Sequence, residues 1–232
     1  MKVSVVLITW IPSEIQTLSE RRLKKHRMVW LKETFRSLKN SVTMPYELIV
    51  VDNGSEEQTK YLKTQQIDKH IINEKNVGIG HARNQGMEAA IGDYIVFLDN
   101  DIFLEKGWLE ESIEALETYP NEKLIGCPAF GNDLLGCKKR LYLGKLGKYP
   151  LYQRYGGACW VARRKMLDEF GKWSTSTTPG RDYCVKVTRA GYKFIGLEKH
   201  KATHLGKSKS FDFHKKFVDG KWVKAGGIDE RT

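Results

Sequence analysis

Apolar residues in the first half of the chain come in short runs, and each run ends on a polar cluster. Val3 to Ile8 stops at Thr9. Tyr46 to Val51 stops at Asp52-Asn53-Gly54-Ser55. His70 to Ile72 leads to Asn76, and residues 93–98 end at Asp99-Asn100-Asp101. Their shortness and Val/Ile content predict four strands. Between the first two, a charged stretch at residues 19–27 precedes Trp30, Leu31, Thr34, Phe35 and Leu38, which recur at helical spacing. Residues 56–65 predict a polar helix, residues 81–91 a helix stopped at Gly92, and residues 107–119 a helix closed by Pro120. Alternation of strand and helix implies right-handed crossovers and an α/β fold with a mostly parallel sheet. Ligands in such sheets bind beyond the carboxyl ends of the strands. Thr9, Asp52, Asn53, Asn76, Asp99 and Asp101 all fall at such ends, which predicts one shared site.

The second half is less regular. Residues 124–128 predict a strand, and residues 138–142 and 144–148 basic loops or hairpin pieces. Residues 156–161 predict a strand running into a helix at 163–170. Residues 182–190 predict a helix stopped at Gly191, and residues 192–197 and the run to His204 predict two more strands. This gives a half at 1–120, a half at 121–210 within the same domain, and a basic tail at 211–232.

Composition narrows the class. The 232 residues are 41% hydrophobic, enough for a packed core. No apolar run approaches the roughly 18 to 20 residues of a spanning helix. Met1-Lys2 leads straight into a strand, which gives a cytoplasmic expectation. Cys127, Cys137, Cys159 and Cys184 form no C-x-x-C pair, so they are expected as buried, reduced thiols rather than a zinc site. Charge is uneven: residues 1–120 carry 15 Lys and Arg against 18 Asp and Glu, and residues 121–232 carry 24 against 10. A half that basic suits an anionic partner, though solubility alone also explains basic surfaces.

Asp99-Asn100-Asp101 is the sharpest chemical signal. Two carboxylates leaving one strand end can share a divalent ion such as Mn2+ or Mg2+. That ion would offset the charge that grows on a departing nucleotide diphosphate.

These pieces together resemble the inverting, GT-A fold glycosyltransferases of family 2. The resemblance runs over residues 3–210. It rests on the first strand through Thr9, on Glu47-Leu-Ile-Val-Val-Asp-Asn-Gly-Ser55, on Asn76-Val-Gly-Ile-Gly-His-Ala-Arg-Asn-Gln-Gly86, and on Gly92-Asp-Tyr-Ile-Val-Phe-Leu-Asp-Asn-Asp101. The resemblance implies a Rossmann-like sheet flanked by helices, with a smaller mixed sheet on the acceptor side. It implies a nucleotide-diphosphate sugar donor bound in the half at 1–120 by Thr9, Asp52, Asn53, Arg83, Asp99 and Asn100, and an acceptor bound by the half at 121–210. Many relatives carry two acids where this chain has Asp52-Asn53. Asn84 would brace the loop. Asp101, Asp99 and His204 would hold the metal, with His200 as the fallback for His204. Asp182 is expected as the base that takes the acceptor proton, in a pair whose first acid is here Arg181. For three residues a plainer role stays open: Arg83 as a solvated helix charge, Asp182 as a helix cap, and His204 as a surface histidine.

The acceptor is expected to be anionic, a cell-surface or lipid-linked glycan, with peripheral contact to a membrane. A modified base in DNA, as certain viral enzymes use, is the alternative. Residues 21–27 could grip phosphate in either setting. Nucleotidyl transfer lacks the glycine- and lysine-rich loop it needs after the first strand. A non-enzymatic nucleic-acid-binding protein would leave the acidic pair unexplained. Oligomeric state is left open.

Overall fold

The computed structural model describes residues 1–11, 18–130, 141–176, 179–205, 215–218 and 221–224. The chain begins with β1 (Val3–Thr9), α1 (Leu18–Ser41), β2 (Glu47–Asp52), α2 (Glu56–Leu62), β3 (Lys69–Ile72), α3 (Ile79–Ala89) and β4 (Tyr94–Asp99). It continues with β5 (Ile102–Leu104), α4 (Trp108–Thr118), β6 (Leu124–Phe130), β7 (Tyr142–Leu146), β8 (Tyr149–Tyr152), β9 (Cys159–Arg163), α5 (Arg164–Phe170), α6 (Pro179–Arg189) and β10 (Lys193–His204). Two short strands, β11 (Lys215–Val218) and β12 (Lys221–Lys224), pair antiparallel in the tail.

One ten-stranded sheet carries the fold, in the order β3-β2-β1-β4-β9-β6-β10-β8-β7, with β5 paired to β10. The strands β3, β2, β1 and β4 are parallel, as the alternation predicts. β9 then runs antiparallel to β4 and opens the mixed part of the same sheet. The mixed strands thus extend the parallel ones instead of forming a separate small sheet. Every residue of β1 is buried. That follows from its place between β2 and β4, where a strand needs apolar groups on both faces.

Several elements differ from their sequence outlines. α1 is much longer than residues 30–38 suggest, because the charged stretch forms its opening turns. Charged residues are good helix formers when one face can stay in water. β5 escaped notice because three residues give no period, and its hydrogen bonds come from β10, about a hundred positions later. β10 is one strand interrupted by register shifts between Gly196 and Ala202, where two strands were expected. Residues 142–152 form the hairpin β7–β8 with Gly147 at φ +57 in its turn. The basic run Lys138 to Arg140 lies outside the described residues.

The core is aromatic on the β9 side. Trp160, Trp173, Tyr183, Phe97 and Phe194 are each at most 2% exposed. Trp173 stacks on Tyr183 with ring centres 4.2 Å apart and meets Phe97 edge-on at 4.9 Å. Trp108, also buried, donates its indole N–H to Ser41 at 3.0 Å. These tryptophans are core, with no face open to a sugar. Cys127, Cys159 and Cys184 are buried, and Cys137 lies outside the described residues. Among the described residues no helix is long and apolar enough to cross a membrane.

α3 packs onto β1 at Gly86. A Cβ there would run into Val6 and press on Val51. Replacing Gly86 by Val is therefore expected to push helix from sheet and cost about 1–3 kcal/mol or more, as overpacking does. A lowered urea midpoint with unchanged slope would record it; an unchanged midpoint would contradict this packing.

Candidate active site

The carboxyl ends of β1, β2 and β4 open onto a cleft of about 370 Å³. One wall is Asp99, Asn100, Asp101 and His204. Asn53, Asn76 and Ile79 form another, and Ile8, Trp10, Arg27 and Trp30 close it on the α1 side. Five of the expected site residues therefore share one cavity: Asn53, Asp99, Asn100, Asp101 and His204.

Topology explains why distant residues meet. β4 delivers Asp99, and the chain turns directly into β5. β5 pairs antiparallel with the end of β10, which sets Ile102 opposite His204. The Leu205 N–H donates to the Asp101 carbonyl at 2.7 Å. His204 Nδ1 lies 3.5 Å from Asp101 Oδ2, and its side chain is only 8% exposed. A surface role for His204 is excluded by that burial.

Arg83 is 3% exposed and lies behind the cleft wall. Its Nη2 donates to Asp99 Oδ1 at 2.9 Å and to the Gly157 carbonyl at 2.8 Å. The guanidinium sits 4.5 Å from the centre of the Trp173 ring. It is neither a solvated charge nor part of the cleft lining. It holds Asp99. Burial pushes the Asp99 carboxyl above its ordinary range; Arg83 opposes that, Asp101 adds to it, and His204 opposes it.

Thr9 and Asp52 are fully buried and do not line the cleft. They are register partners across β1 and β2. Asp52 Oδ2 accepts from the Thr59 hydroxyl and lies 3.9 Å from His70 Nε2. Among the described residues, Thr9 Oγ1 and Asp52 Oδ1 have no hydrogen-bond partner. Asn53 reaches the cleft but spends its amide on the protein: Nδ2 donates to Asn76 Oδ1 at 2.8 Å, and Oδ1 accepts from Val77 N and Asn73 Nδ2. It holds the loop ahead of α3 in shape.

Asn84 braces a different loop from the one expected. Its side chain pairs in both directions with the backbone of Trp173, at 2.7 and 3.1 Å. Two residues along that loop, Ser174 and Ser176 begin donating their hydroxyls to Asp182 Oδ2. α6 starts at Pro179, so Asp182 lies inside the first turn and not at the capping position. The helix start also lies against Arg83, since a Cβ on Gly180 would come within 3.6 Å of Nη1. Asp182 itself is not among the residues lining the cleft.

The expected three-ligand metal set is not assembled. Among the described residues no group of three or more His, Cys, Asp and Glu is arranged to hold an ion. Asp99 Oδ1 accepts from Arg83, and its other oxygen is assigned to no ion. What stands together is one carboxylate, Asp101, and one imidazole, His204, an oxygen and nitrogen pair suited to Mn2+. The side chain of His200, the fallback ligand, is not described. The residues sequence reading missed are Trp10, Trp30 and Ile79. The signal was there for Trp10, which directly follows Thr9 at a strand end.

Arg83→Met would leave Asp99 mostly buried without its cation. The expected cost is about 2–4 kcal/mol in chemical denaturation, much of it recovered in the double variant with Asp99→Asn. Additive losses would show that the two side chains do not interact.

The sequence profile of glycosyl transferase family 2 matches residues 27–171. The glucosyl-dolichyl phosphate glucuronosyltransferase of Haloferax volcanii is 28% identical over 130 residues, which is 54% of this chain and 37% of that protein. Among solved structures, S. aureus TarS (residues 1–349, in complex with UDP-GlcNAc) superposes with a TM-score of 0.60 at 16% identity, over 90% of this chain and 61% of that one. The mannosyltransferase PcManGT from Pyrobaculum calidifontis, in complex with GDP-Man and Mn2+, gives 0.65 at 15% identity, over 90% of this chain and 58% of that one. The chain thus spans little more than a third of that curated relative and about three fifths of these solved chains. The fold matches the GT-A expectation. With the profile covering more than half its length, the chain belongs to glycosyl transferase family 2.

Proposed function

We propose that this protein transfers a sugar from a nucleotide-diphosphate donor to an acceptor hydroxyl, with inversion and with the help of a divalent ion. The observation that carries the reading is the pairing of Asp101 with His204 on the wall of a nucleotide-sized cleft, next to an Asp99 held in place by a buried arginine. A divalent ion bound there would supply positive charge for the departing diphosphate. Asp101 and His204 would hold it, and phosphate oxygens and water would fill the other positions. Asp99 would face the ribose. Asn53 and Asn76 would shape the base end, with Trp10 as a flat surface beside it.

Asp182 is our choice of base. The acceptor hydroxyl must lose its proton as it attacks the anomeric carbon, and the Asp182 carboxylate in the first turn of α6 would take it. Ser174 and Ser176 fix one of its oxygens. Direct attack from the face opposite the leaving group inverts that carbon. The H. volcanii relative is named for an acceptor that carries a lipid phosphate. An acceptor of that kind fits the exposed Arg181, Lys186 and Arg189 on α6 and would bring the protein to a membrane surface.

Two variants separate the parts. Asp182→Asn is expected to bind donor nucleotide as the native protein does while sugar transfer falls by about 10²–10⁴-fold; near-native transfer would place the base elsewhere. Asp101→Ala is expected to abolish the extra thermal stabilisation that Mn2+ adds to a bound nucleoside diphosphate. Equal stabilisation with and without Mn2+ in the native protein would remove the metal from the mechanism.

A further inference from the structure

Arg27 is not accounted for by the cleft residues discussed so far. It comes from the highly basic opening of α1, a helix with eight Lys or Arg against two Glu. Yet it lines the same cleft as Asp99, Asp101 and His204. Its Nη1 donates to the Trp10 carbonyl at 3.1 Å, and its guanidinium lies 5.1 Å from the centre of the Trp10 ring. Behind it, His26 stacks on the buried Trp30. The arginine is anchored by its own neighbours at the mouth of the site.

Charge balance says what such a cation is for. Asp99 is already matched by Arg83, and Asp101 faces His204. A nucleotide-sugar brings two phosphate charges, and breaking the sugar bond adds one more on the leaving diphosphate. An ion shared with Asp101 has little charge to spare for that last increment. A guanidinium offers N–H donors in a fork that matches phosphate oxygens. We infer that Arg27 is a catalytic residue that binds the diphosphate of the donor and stabilises the charge that develops as the sugar leaves. This rests on the transferase reading above. It adds to that reading a cation from α1 that lines the same cleft as the acidic pair.

The test must separate phosphate binding from support of Trp10. Affinities of UDP, GDP, uridine, guanosine and inorganic pyrophosphate are measured calorimetrically with Mn2+ on native protein, Arg27→Ala and Arg27→Lys. The expected result is about a tenfold or greater loss of diphosphate and pyrophosphate affinity in Arg27→Ala, the scale of one charge-assisted bond. Nucleoside affinity should stay within about twofold, and Arg27→Lys, which keeps the charge but not the fork, should recover only part of the loss. Pyrophosphate has no base, so its loss cannot arise from a displaced Trp10. Equal losses for nucleosides and diphosphates would overturn the inference and make Arg27 a support for Trp10. Unchanged diphosphate affinity would overturn it outright while leaving the transferase reading intact. If native protein binds neither UDP nor GDP, the transferase reading falls and this inference with it. Melting temperatures of the unliganded variants check folding, and Arg27→Lys carries the comparison should Arg27→Ala prove unstable.

Discussion

A buried arginine organises the molecule. Arg83 cannot give up its proton, so a guanidinium taken out of water must find its compensation in the protein. It finds a carboxylate at the end of β4, a carbonyl just before β9 and the face of an indole after α5. Those three groups belong to segments far apart in the chain. Any arrangement that failed to gather them would strand the charge, so the requirement fixes the relative positions of α3, β4, β9 and the loop of Trp173. The start of α6 packs over the same group. The site is assembled around a cation that never enters the cleft.

Amide side chains do similar work at shorter range. Asn53 satisfies the loop before α3, and Asn84 satisfies the backbone at Trp173. The family motif implies Asn53 at the nucleotide and Asn84 as a brace for the loop. Their contacts show how a binding residue and a bracing residue look alike in sequence: each is a polar residue near a strand end. What separates them is which side the amide faces, and one chain alone does not encode that visibly. Thr9 and Asp52 illustrate the same point, since a strand end can be the floor of a cleft as readily as its wall.

The parallel half of the sheet was legible because each strand there is a short apolar run with a polar stop, and its partners are sequence neighbours. The acidic pair was legible for the same reason. The second half was harder. β5 has three residues, β10 is broken by bulges, and both take their pairing from distant segments. The nearness of His204 to Asp101 depends wholly on that pairing, so it rested on family resemblance and not on any local pattern. The basic stretch at residues 21–27 was legible as a phosphate grip, but not which of its residues reaches the cleft, since that depends on where the helix lies.

The interleaving of β9 between β4 and β6 also constrains how such a protein can be divided. β4 closes the parallel half, yet its free edge is covered only by a strand made some sixty residues later. A chain ending near residue 120 would display that edge, along the apolar row Tyr94 to Leu98, as an open template for strand addition by other molecules. The half at residues 1–120 is therefore a module in pattern but not a piece that can stand alone. During synthesis this row must wait for residues 159–163 to emerge before it is safe from self-association.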